Sequence, residues 1–427
     1  MFNPRKLGRP QIVIVGAGFG GLQTAQSLKR SRADVLLINR ENYHTFVPML
    51  YQVATGQLEP DQVIYPIRHI IQSSNLRYLM AEVERIDFDR QQIETHHLTI
   101  PYDYLVLATG SETQFLDVPG AAEHALPMRS LTEAVTLRNH IFTRFERAAQ
   151  TDNLQARQSL LTFVIVGGGP TGVELAGAMV EVITGRLVRE YSSYDLRQSK
   201  LILLQGGDFL LPGLPQKLGT YTYRKLRRLG VEVHLSTRVS RVTSETLHLE
   251  NHQTIRTATI IWTAGVEATS PAVSVDLPKA AKEKLVVQPT LQILSQPNVY
   301  AIGDLAHVEQ SDQSLKGVAP EALQQGVAVA QNIQRQLRGQ SPQPFRYFNK
   351  GRLAIIGCYS GVGKIGPFML TGPLAWAIWL GVHLVYLPGY GNRFFAFLRW
   401  VQTYVGRDRP VRLILPMTKV DTYRERP

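Results

Sequence analysis

The same strand, glycine turn and helix pattern occurs twice in this chain, about 150 residues apart. In the first copy the apolar run 12–15 leads into Gly16-Ala17-Gly18-Phe19-Gly20-Gly21, then a helical stretch and a second apolar run. In the second, the run 163–166 leads into Gly167-Gly168-Gly169-Pro170-Thr171-Gly172, with a strand at 201–204. In this pattern the first glycine allows the turn, the second lets backbone approach a pyrophosphate, and the third lets the helix pack closely. Two copies therefore predict two dinucleotides, each with its phosphates at a helix N-terminus.

The cysteine content excludes several chemistries. Cys358 is the one cysteine among 427 residues, so the chain can form no internal disulfide, dithiol redox pair or cysteine zinc site. A length of 427 residues predicts two or three domains, and 44% apolar with 19% charged residues is typical of a folded globular chain.

The net charge of +12 favours an anionic partner such as a phosphorylated cofactor, anionic lipid or nucleic acid. We predict no nucleic-acid partner, because no helix-turn-helix, zinc module or RNA-binding motif accompanies the charge. The basic start, residues 1–10, is not followed by an apolar signal-peptide core, so we expect the protein on the cytoplasmic side.

Three further segments have the form of a strand that ends in small or acidic residues: 103–110, 259–265 and 298–304. With the two glycine turns, they resemble the flavoproteins that carry FAD on one dinucleotide-binding domain and a nicotinamide nucleotide on an inserted second one. The resemblance implies that Asp304 binds the ribityl hydroxyls of FAD; the alternative is a turn residue that caps the following helix. It implies FAD contacts from Gly16, Gly18, Gly20, Gly21, Asn39, Arg40, Thr109, Gly110, Gly303 and Asp304, and NADH or NADPH contacts from Gly167, Gly169, Gly172, Glu174, Gln205 and Gly265.

The single cysteine narrows this group of flavoproteins. Disulfide reductases and sulfide:quinone oxidoreductases pass electrons through a pair of cysteines. With one cysteine, this chain must deliver its electrons to a diffusible acceptor: oxygen, a quinone or a carrier protein.

The C-terminal part favours a membrane acceptor. Residues 372–387 are largely apolar but shorter than the roughly 20 residues needed to cross a bilayer. At 100° per residue, six apolar residues of 392–405 fall in one arc, with Arg399, Gln402 and Thr403 opposite. Cations rim this arc: residues 383–427 carry eight Lys or Arg against three acids. The pattern predicts an interfacial membrane helix; packing on the protein's own core or on a dimer partner is the alternative. The six arc residues are Phe394, Phe397, Leu398, Val401, Tyr404 and Val405, and the eight cations are Arg393, Arg399, Arg407, Arg409, Arg412, Lys419, Arg424 and Arg426.

Over residues 11–414 the chain resembles the type II NADH dehydrogenases, monotopic NAD(P)H:quinone oxidoreductases that do not pump protons. The specific stretches are 42–56, 318–326 and the tail 376–414. The resemblance implies an α/β fold of two Rossmann-like domains: an FAD domain (1–120 and 281–345), an inserted NAD(P)H domain (121–280) and a membrane-anchoring, quinone-site region (346–427). It places the enzyme on the cytoplasmic face of the plasma membrane or on an internal membrane, in respiratory electron transport, with a homodimer kept open.

By the same resemblance, Gln324 and Gln325 contact quinone or flavin, Glu174 lies near the nicotinamide ribose or carboxamide, and Tyr51 and Gln52 are quinone candidates. Pro320 stands where family members often have Gln, and proline removes both of its donors. Glu321 could serve a quinone-linked proton or face outward on the surface. Lys364 is a further quinone candidate.

Two neutral residues end the second strands, where an acid is usual. Asn39 can still bind an adenosine ribose hydroxyl. Gln205 lacks the charge that would repel a 2′-phosphate, so we predict that NADPH is tolerated, with a preference for it over NADH kept open. The following Gly206-Gly207-Asp208 offers no arginine for that phosphate, and Asp208 could restore its rejection.

The 11 histidines form no metal-binding or general-base pattern, so we predict no metal. His96 and His97 are predicted to lie in an exposed turn. The flavin performs the redox chemistry in this interpretation, and the protein supplies orientation and electrostatics. The enzymatic alternative is a soluble FAD-dependent NAD(P)H oxidase or carrier reductase whose tail packs inward.

Overall fold

The computed structural model describes residues 8–185, 198–310, 313–406 and 411–415. By their internal contacts these residues form two compact units. Unit 1 holds the described residues of Met1–Thr45, Ile64–Gln114 and Val266–Lys350, and unit 2 those of Phe46–Val63, Phe115–Gly265 and Gly351–Pro427. The predicted four-part division at 120, 280 and 345 stays a prediction; the chain passes between the compact units at 114, 265 and 350, and also around 46–63.

The helices of the described residues are, in chain order, α1 (Phe19–Leu28), α2 (Leu50–Ala54), α3 (Ile67–Ile70), α4 (Ala121–His124), α5 (Leu131–Gln150), α6 (Leu154–Leu160), α7 (Pro170–Thr184), α8 (Gln216–Leu229), α9 (Ala319–Gln336), α10 (Gly372–Tyr386) and α11 (Tyr390–Gly406).

The strands are β1 (Gln11–Val15), β2 (Asp34–Asn39), β3 (Tyr43–Thr45), β4 (Ile64–Pro66), β5 (Leu76–Met80), β6 (Val83–Asp87), β7 (Gln92–Thr95), β8 (Thr99–Pro101), β9 (Tyr104–Leu107), β10 (Ser111–Thr113), β11 (Leu126–Pro127), β12 (Thr162–Val166), β13 (Lys200–Leu204), β14 (Glu232–His234), β15 (Val239–Val242), β16 (Thr246–Leu249), β17 (Thr254–Arg256), β18 (Thr259–Trp262), β19 (Val266–Ala268), β20 (Ala272–Val273), β21 (Leu285–Val286), β22 (Gln292–Ile293), β23 (Gln296–Ala301), β24 (Ala306–His307), β25 (Glu309–Gln310), β26 (Gln313–Ser314), β27 (Arg352–Ile355), β28 (Gly361–Ile365) and β29 (Phe368–Thr371).

Unit 1 is built on a six-stranded sheet with the order β22-β23-β9-β1-β2-β5. Its strands are parallel except at the β22-β23 pair. β1 is buried along its whole length. Helix α1 packs against β1, β2 and α9, and apolar residues of β6, β7 and β8 belong to the same buried cluster as β1. The chain crosses over between β1 and β9, so the ends of β1, β2, β9 and β23 meet at one edge, where open α/β sheets bind their ligands.

Unit 2 repeats this plan with a five-stranded parallel sheet, β11-β18-β12-β13-β14. A three-stranded antiparallel sheet, β15-β16-β17, shares a buried apolar cluster with it. The two predicted strand, turn and helix units are thus both present, as β1-α1-β2 and β12-α7-β13, and the α/β fold with two Rossmann-like sheets is confirmed.

The C-terminal part of unit 2 consists of the sheet β27-β28-β29 followed by α10 and α11. Both predicted tail helices are present, and no helix in the described ranges is long and apolar enough to cross a membrane. Of the predicted rim charges, Arg407, Arg409, Lys419, Arg424 and Arg426 lie outside the described residues.

Candidate functional site

The glycine turn of unit 1 contains two kinds of glycine. At Gly16, with φ +101°, a Cβ atom would lie 2.3 Å from the carbonyl oxygen of Ala108, and at Gly21 it would lie 1.9 Å from that of Gly16. These two glycines are required by the fold itself, since any side chain would strike backbone. At Gly18 a Cβ would meet nothing within 4 Å. This open position at the N-terminus of α1 fits a phosphate-bearing ligand that approaches the backbone.

Asn39, at the end of β2, is oriented by this turn. Its Oδ1 accepts a hydrogen bond from Ala17 N at 2.9 Å, and its Nδ2 donates to the carbonyl of Glu41 at 2.8 Å. Glu41, which the sequence analysis did not single out, thus brings an exposed carboxylate beside the predicted adenosine site. Arg40 forms an exposed ion pair with Glu82, in which Nη1 lies 3.7 Å from Oε1.

Asp304 follows β23 in a short 3-10 turn, Gly303–Leu305. Its Oδ2 accepts a hydrogen bond from Ser111 Oγ at 2.6 Å, and Gly317 lies so close that a Cβ there would be 2.8 Å from Oδ1. Lys284 completes the cluster: burial lowers the pKa of its ammonium, and the carboxylate of Asp304 partly offsets this. Beside it, Thr109 Oγ1 donates to the carbonyl of Thr269, and a Cβ on Gly110 would meet nothing within 4 Å.

The start of α9 lies against the same turn. Gln325 is buried, and its Oε1 accepts a hydrogen bond from Gly303 N at 2.6 Å, which supports its predicted place near the flavin motif. Gln324 instead pairs with the backbone of Phe348, donating to its carbonyl and accepting from its N–H, both at 2.9 Å. Its amide is therefore already used within unit 1.

Glu321 and Pro320 form the first turn of α9. The Glu321 carboxylate accepts hydrogen bonds from Gly317 N at 2.8 Å and from Val318 N at 3.3 Å, so it caps the helix. Of the two alternatives for Glu321, the outward-facing surface role is wrong, since the residue is 2% exposed. Pro320 lies where a helix leaves its N–H groups unpaired, a position that proline favours.

The glycine turn of unit 2 has the same division of roles. A Cβ at Gly167 (φ +114°) would lie 2.8 Å from Ala264 N, and one at Gly172 would lie 1.9 Å from the carbonyl oxygen of Gly167. At Gly169 it would meet nothing within 4 Å. Gly265 closes the neighbouring strand end with φ +77°. The open position at the start of α7 therefore fits a second dinucleotide.

Gln205 occupies in unit 2 the place that Asn39 has in unit 1. Its Oε1 accepts a hydrogen bond from Gly168 N at 2.8 Å, and its Nε2 donates to the carbonyl of Phe209 at 3.3 Å. The expectation that no arginine lies near is wrong: the Cγ atom of Arg238 lies 3.3 Å from where a Cβ of Gly206 would be. The sequence did not indicate it because Arg238 lies more than 30 residues further along the chain, after β14, and only the fold places it beside Gly206.

Glu174 lies on α7 with a buried side chain. Its Oε1 accepts hydrogen bonds from Trp379 Nε1 at 3.1 Å and from Ile355 N at 3.3 Å. Burial raises the pKa of this carboxyl to about 8, and the two hydrogen bonds oppose the rise. Glu174 is therefore largely protonated at neutral pH.

A cavity in unit 2 joins Glu174 to one of the predicted quinone residues. It is lined by Tyr51, Gln57, Glu174, Ala178, Glu181, Ile355, Gly357 and Tyr404. Gln52 contributes from behind, because its Nε2 donates to Tyr51 Oη at 2.8 Å while its Oε1 accepts from Trp400 Nε1 at 2.9 Å. Gln57 was not predicted, and its buried Nε2 has no hydrogen-bond partner in the described part of the chain. The exposed Lys364, on β28, is not among the residues that line this cavity.

Two neighbouring histidines lie at the surface, as predicted, and a third packs within α10. His96 and His97 are exposed, and the described residues contain no group of His, Cys, Asp and Glu suited to a metal ion. His383, in α10, stacks on Trp379 at a centroid distance of 3.7 Å, and burial lowers its pKa to about 4. It is therefore a neutral packing residue.

Comparisons with known proteins agree with this geometry. The pyridine nucleotide-disulphide oxidoreductase family matches residues 10–335. The type II NADH:quinone oxidoreductase Ndh of Mycobacterium tuberculosis is 35% identical over 419 residues, which cover 94% of this chain and 89% of that protein. The enzyme of the same name from Staphylococcus haemolyticus is 28% identical over 86% of this chain and 92% of its own.

Among solved structures, NDH2 from Plasmodium falciparum in complex with NADH superposes with a TM-score of 0.86. The match covers 94% of this chain and 99% of that one, and at 21% identity it concerns the fold. The paired glycine turns, the length of the match and the identity to curated enzymes lead to one assignment. The chain belongs to the pyridine nucleotide-disulphide oxidoreductase family and, within it, to the type II NADH:quinone oxidoreductases.

Proposed function

We propose that this protein is a peripheral membrane enzyme that oxidises NADH with non-covalently bound FAD and reduces a membrane quinone, without pumping protons. The observation that carries the proposal is the pair of glycine turns, one in each unit, each with a position open to a ligand at Gly18 or Gly169. We call the turn Gly16–Gly21 the cradle of unit 1 and the turn Gly167–Gly172 the cradle of unit 2; one would hold a resident dinucleotide and the other a dinucleotide substrate.

We assign the cradle of unit 1 to FAD. Gly16, Gly18, Gly20 and Gly21 would hold its pyrophosphate, and Asn39, Glu41 and Arg40 would surround its adenosine. Asp304, already accepting from Ser111, would accept the ribityl hydroxyls, with Lys284 balancing its charge. Thr109, Gly110, Gly303 and Gln325 would complete the flavin side. When bound, FAD supplies the two-electron carrier between hydride donor and quinone.

We assign the cradle of unit 2 to the nicotinamide nucleotide. Gly167, Gly169 and Gly172 would bind its pyrophosphate, while Gln205 and Gly265 would flank its adenosine ribose. Orientation is the main contribution of these residues, since hydride transfer needs donor and acceptor held in one geometry and water kept out.

The Glu174 cavity is our proposed source of a proton for the quinone. Formation of a quinol consumes two protons, and a carboxyl with a pKa of about 8 retains its proton at neutral pH. Tyr51 and Gln52 form a hydrogen-bonded pair beside Glu174 that could orient a quinone oxygen. Glu321, Gln324 and Pro320 fit structural roles in unit 1 better, and Lys364 remains a proposed surface contact for the quinone.

We further propose that α10 and α11 dock the enzyme on a bilayer. The apolar arc of α11 faces outward: Phe394 is 58% exposed and Val405 is 76% exposed. The helix packs through Ala396, Trp400, Thr403 and Tyr404 instead. Within the predicted arc Tyr404 is thus buried, and the predicted polar face is buried at Thr403. The arrangement favours an interfacial helix over the inward packing of a soluble oxidase. A homodimer through the same surface, and the membrane face, remain open proposals.

Stopped-flow spectroscopy tests the proposal. The purified protein is mixed with NADH without oxygen, and the oxidised flavin absorbance is followed; a short-chain quinone is then added. We expect bleaching followed by recovery on quinone addition. A colourless protein, or a reduced flavin that oxygen restores and quinone does not, would contradict the proposal and favour the soluble oxidase.

A further inference from the structure

We infer that Arg238 binds the 2′-phosphate of NADPH, so that unit 2 accepts a 2′-phosphorylated dinucleotide as a substrate alongside NADH. The inference rests on the proposed function in one respect: the glycine turn before α7 must bind a nicotinamide nucleotide. It names a residue and a ligand group that the family assignment does not supply.

The residue that follows β13 carries no charge. In an NADH site an acidic residue there accepts the 2′-hydroxyl and repels a 2′-phosphate. Here Gln205 is neutral, and its Oε1 already accepts a hydrogen bond from Gly168 N at 2.8 Å. The electrostatic barrier to a 2′-phosphate is therefore absent from this position.

A cation, Arg238, lies beside the end of β13. After β14 the chain turns back along the end of β13, held by hydrogen bonds from Thr237 N to the Gln205 carbonyl at 2.9 Å and from Ser236 N to the Gly207 carbonyl at 3.0 Å. This turn presents the exposed side chain of Arg238 to Gly206, with Nε 3.7 Å from where a Cβ would lie. Because Gly206 has no side chain, the stem of Arg238 lies directly against this backbone, which places its guanidinium next to the end of β13.

One acidic residue in the same loop could compete with a bound phosphate for Arg238. Asp208 is the acid of this loop, and its Oδ1 accepts a hydrogen bond from Ser236 Oγ at 2.7 Å. Neither Asp208 nor Arg238 forms an ion pair among the residues that the structure describes. The guanidinium is thus free to meet a phosphate in the bidentate geometry that Arg favours, while Asp208 remains close enough to weaken the preference.

The test compares two ligands that differ by the 2′-phosphate: adenosine 2′,5′-bisphosphate and 5′-AMP, titrated into the FAD-loaded enzyme by calorimetry. We expect wild-type protein to bind the bisphosphate more tightly. Arg238→Met keeps the aliphatic stem beside Gly206 and removes the charge; it should reduce the ratio of the two affinities by about tenfold. Gln205→Glu, which can still accept from Gly168 N, should reduce it as well.

The matched control is Arg241→Met, which removes an exposed arginine from β15, three residues further along. It should leave the ratio at the wild-type value. The ratio of kcat/KM for NADPH to that for NADH should follow the same order across the variants.

Three results would overturn the inference. The inference fails if wild-type protein binds both ligands equally. It also fails if Arg238→Met and Arg241→Met reduce the ratio equally, as a general charge effect would. It fails likewise if a strong NADH preference is relieved by Asp208→Asn and does not depend on Gln205. If the enzyme fails to reduce quinone with either nucleotide, the proposed function fails, whereas the two affinities still test Arg238.

Discussion

Glu174 carries a proton that its surroundings hold in place. Burial raises the pKa of its carboxyl from 4.5 to about 8. Because the unfolded chain releases this proton more readily, the contribution of Glu174 to the free energy of unfolding is complete below about pH 4.5 and declines as pH rises to about 8. We expect infrared difference spectra between about pH 6 and about pH 9.5 to show loss of a protonated-carboxyl band, and Glu174→Gln to lack that band.

Glu181→Gln is the matched control for this prediction. Glu181 lines the same cavity from the same helix, and it accepts a hydrogen bond from the backbone of Cys358. The Glu181 variant should retain the band. If the band vanishes in the Glu181 variant and persists in Glu174→Gln, the proton is carried by Glu181, and the prediction for Glu174 is wrong. In the quinone reaction, the rate of quinol formation by Glu174→Gln should lose its decline above about pH 8.

The limits of prediction at single residues are visible in α9 and β14. The resemblance predicted that Gln325 contacts quinone or flavin, and the structure places its Oε1 within hydrogen-bond distance of Gly303 N, in the predicted flavin motif. Gln324 and Glu321 carry the same kinds of polar group, yet they bind the backbone of Phe348 and the start of α9. A motif states which residue types are present; which backbone group each one meets depends on chain segments that are distant in sequence. Arg238 was missed for the same reason.

At the scale of elements, two glycines of the turn between β1 and α1 are predicted to have different roles, one in the fold and one in FAD binding. Gly21→Ala should destabilise the β1-α1 unit, because its Cβ would overlap the Gly16 carbonyl oxygen at 1.9 Å. Gly18→Ala should leave the fold intact, because that Cβ has no neighbour within 4 Å, yet it should reduce FAD retention by occupying the ligand's space. Flavin content of the purified proteins and circular dichroism on heating separate the two effects. Gly110→Ala is no suitable control, since its φ of +80° adds strain. A Gly18→Ala protein with full flavin content would contradict the assigned cradle.

For α11, the prediction concerns the surface that the helix exposes. Phe397→Glu combined with Val401→Glu should weaken binding to vesicles of anionic lipid at least about tenfold, since each change removes an apolar side chain and adds a repelled charge. Leu154→Glu is the matched control, because Leu154 is 71% exposed on α6, a helix outside the tail. Cosedimentation with vesicles is the measurement, and turnover with a water-soluble quinone checks that both variants fold. Equal binding by both variants would indicate that α11 does not contact lipid.

The helical period showed where α11 lies and which residues share a face, and the structure agrees on the bounds to within two residues. It could not show which face packs inward. Trp400, Ala396 and Thr403 are buried, although the apolar arc lies on another side. Hydrophobic periodicity reports the difference in polarity between the faces of a helix and carries no information on what packs against each face. Which face of α11 packs inward depends on tertiary contacts that the sequence pattern does not specify.

At the scale of the whole molecule, the proposed electron path depends on the two glycine turns and on the presence of one cysteine in the sequence. The fold alone does not decide whether a thiol takes part in electron transfer. Two Rossmann-like sheets with open glycine turns were predictable from sequence, because each turn lies between consecutive elements of its own βαβ unit. The residues around Glu174 are Tyr51, Ile355 and Trp379, which are far apart in sequence, so only folding brings them together.

Cys358→Ser tests the electron path directly. The described contact of Cys358 with Glu181 uses its backbone N–H, which serine preserves. A path that ran through a protein thiol would require a second cysteine to close a disulfide, and the sequence contains none. We therefore expect the variant to retain FAD and to reduce quinone with NADH at the wild-type rate, and thiol-alkylating reagents to leave the turnover of the wild-type protein unchanged. Loss of quinone reduction in a folded, FAD-loaded Cys358→Ser protein would mean that the sulfur itself contacts the reacting groups, and that electrons do not pass directly from flavin to quinone.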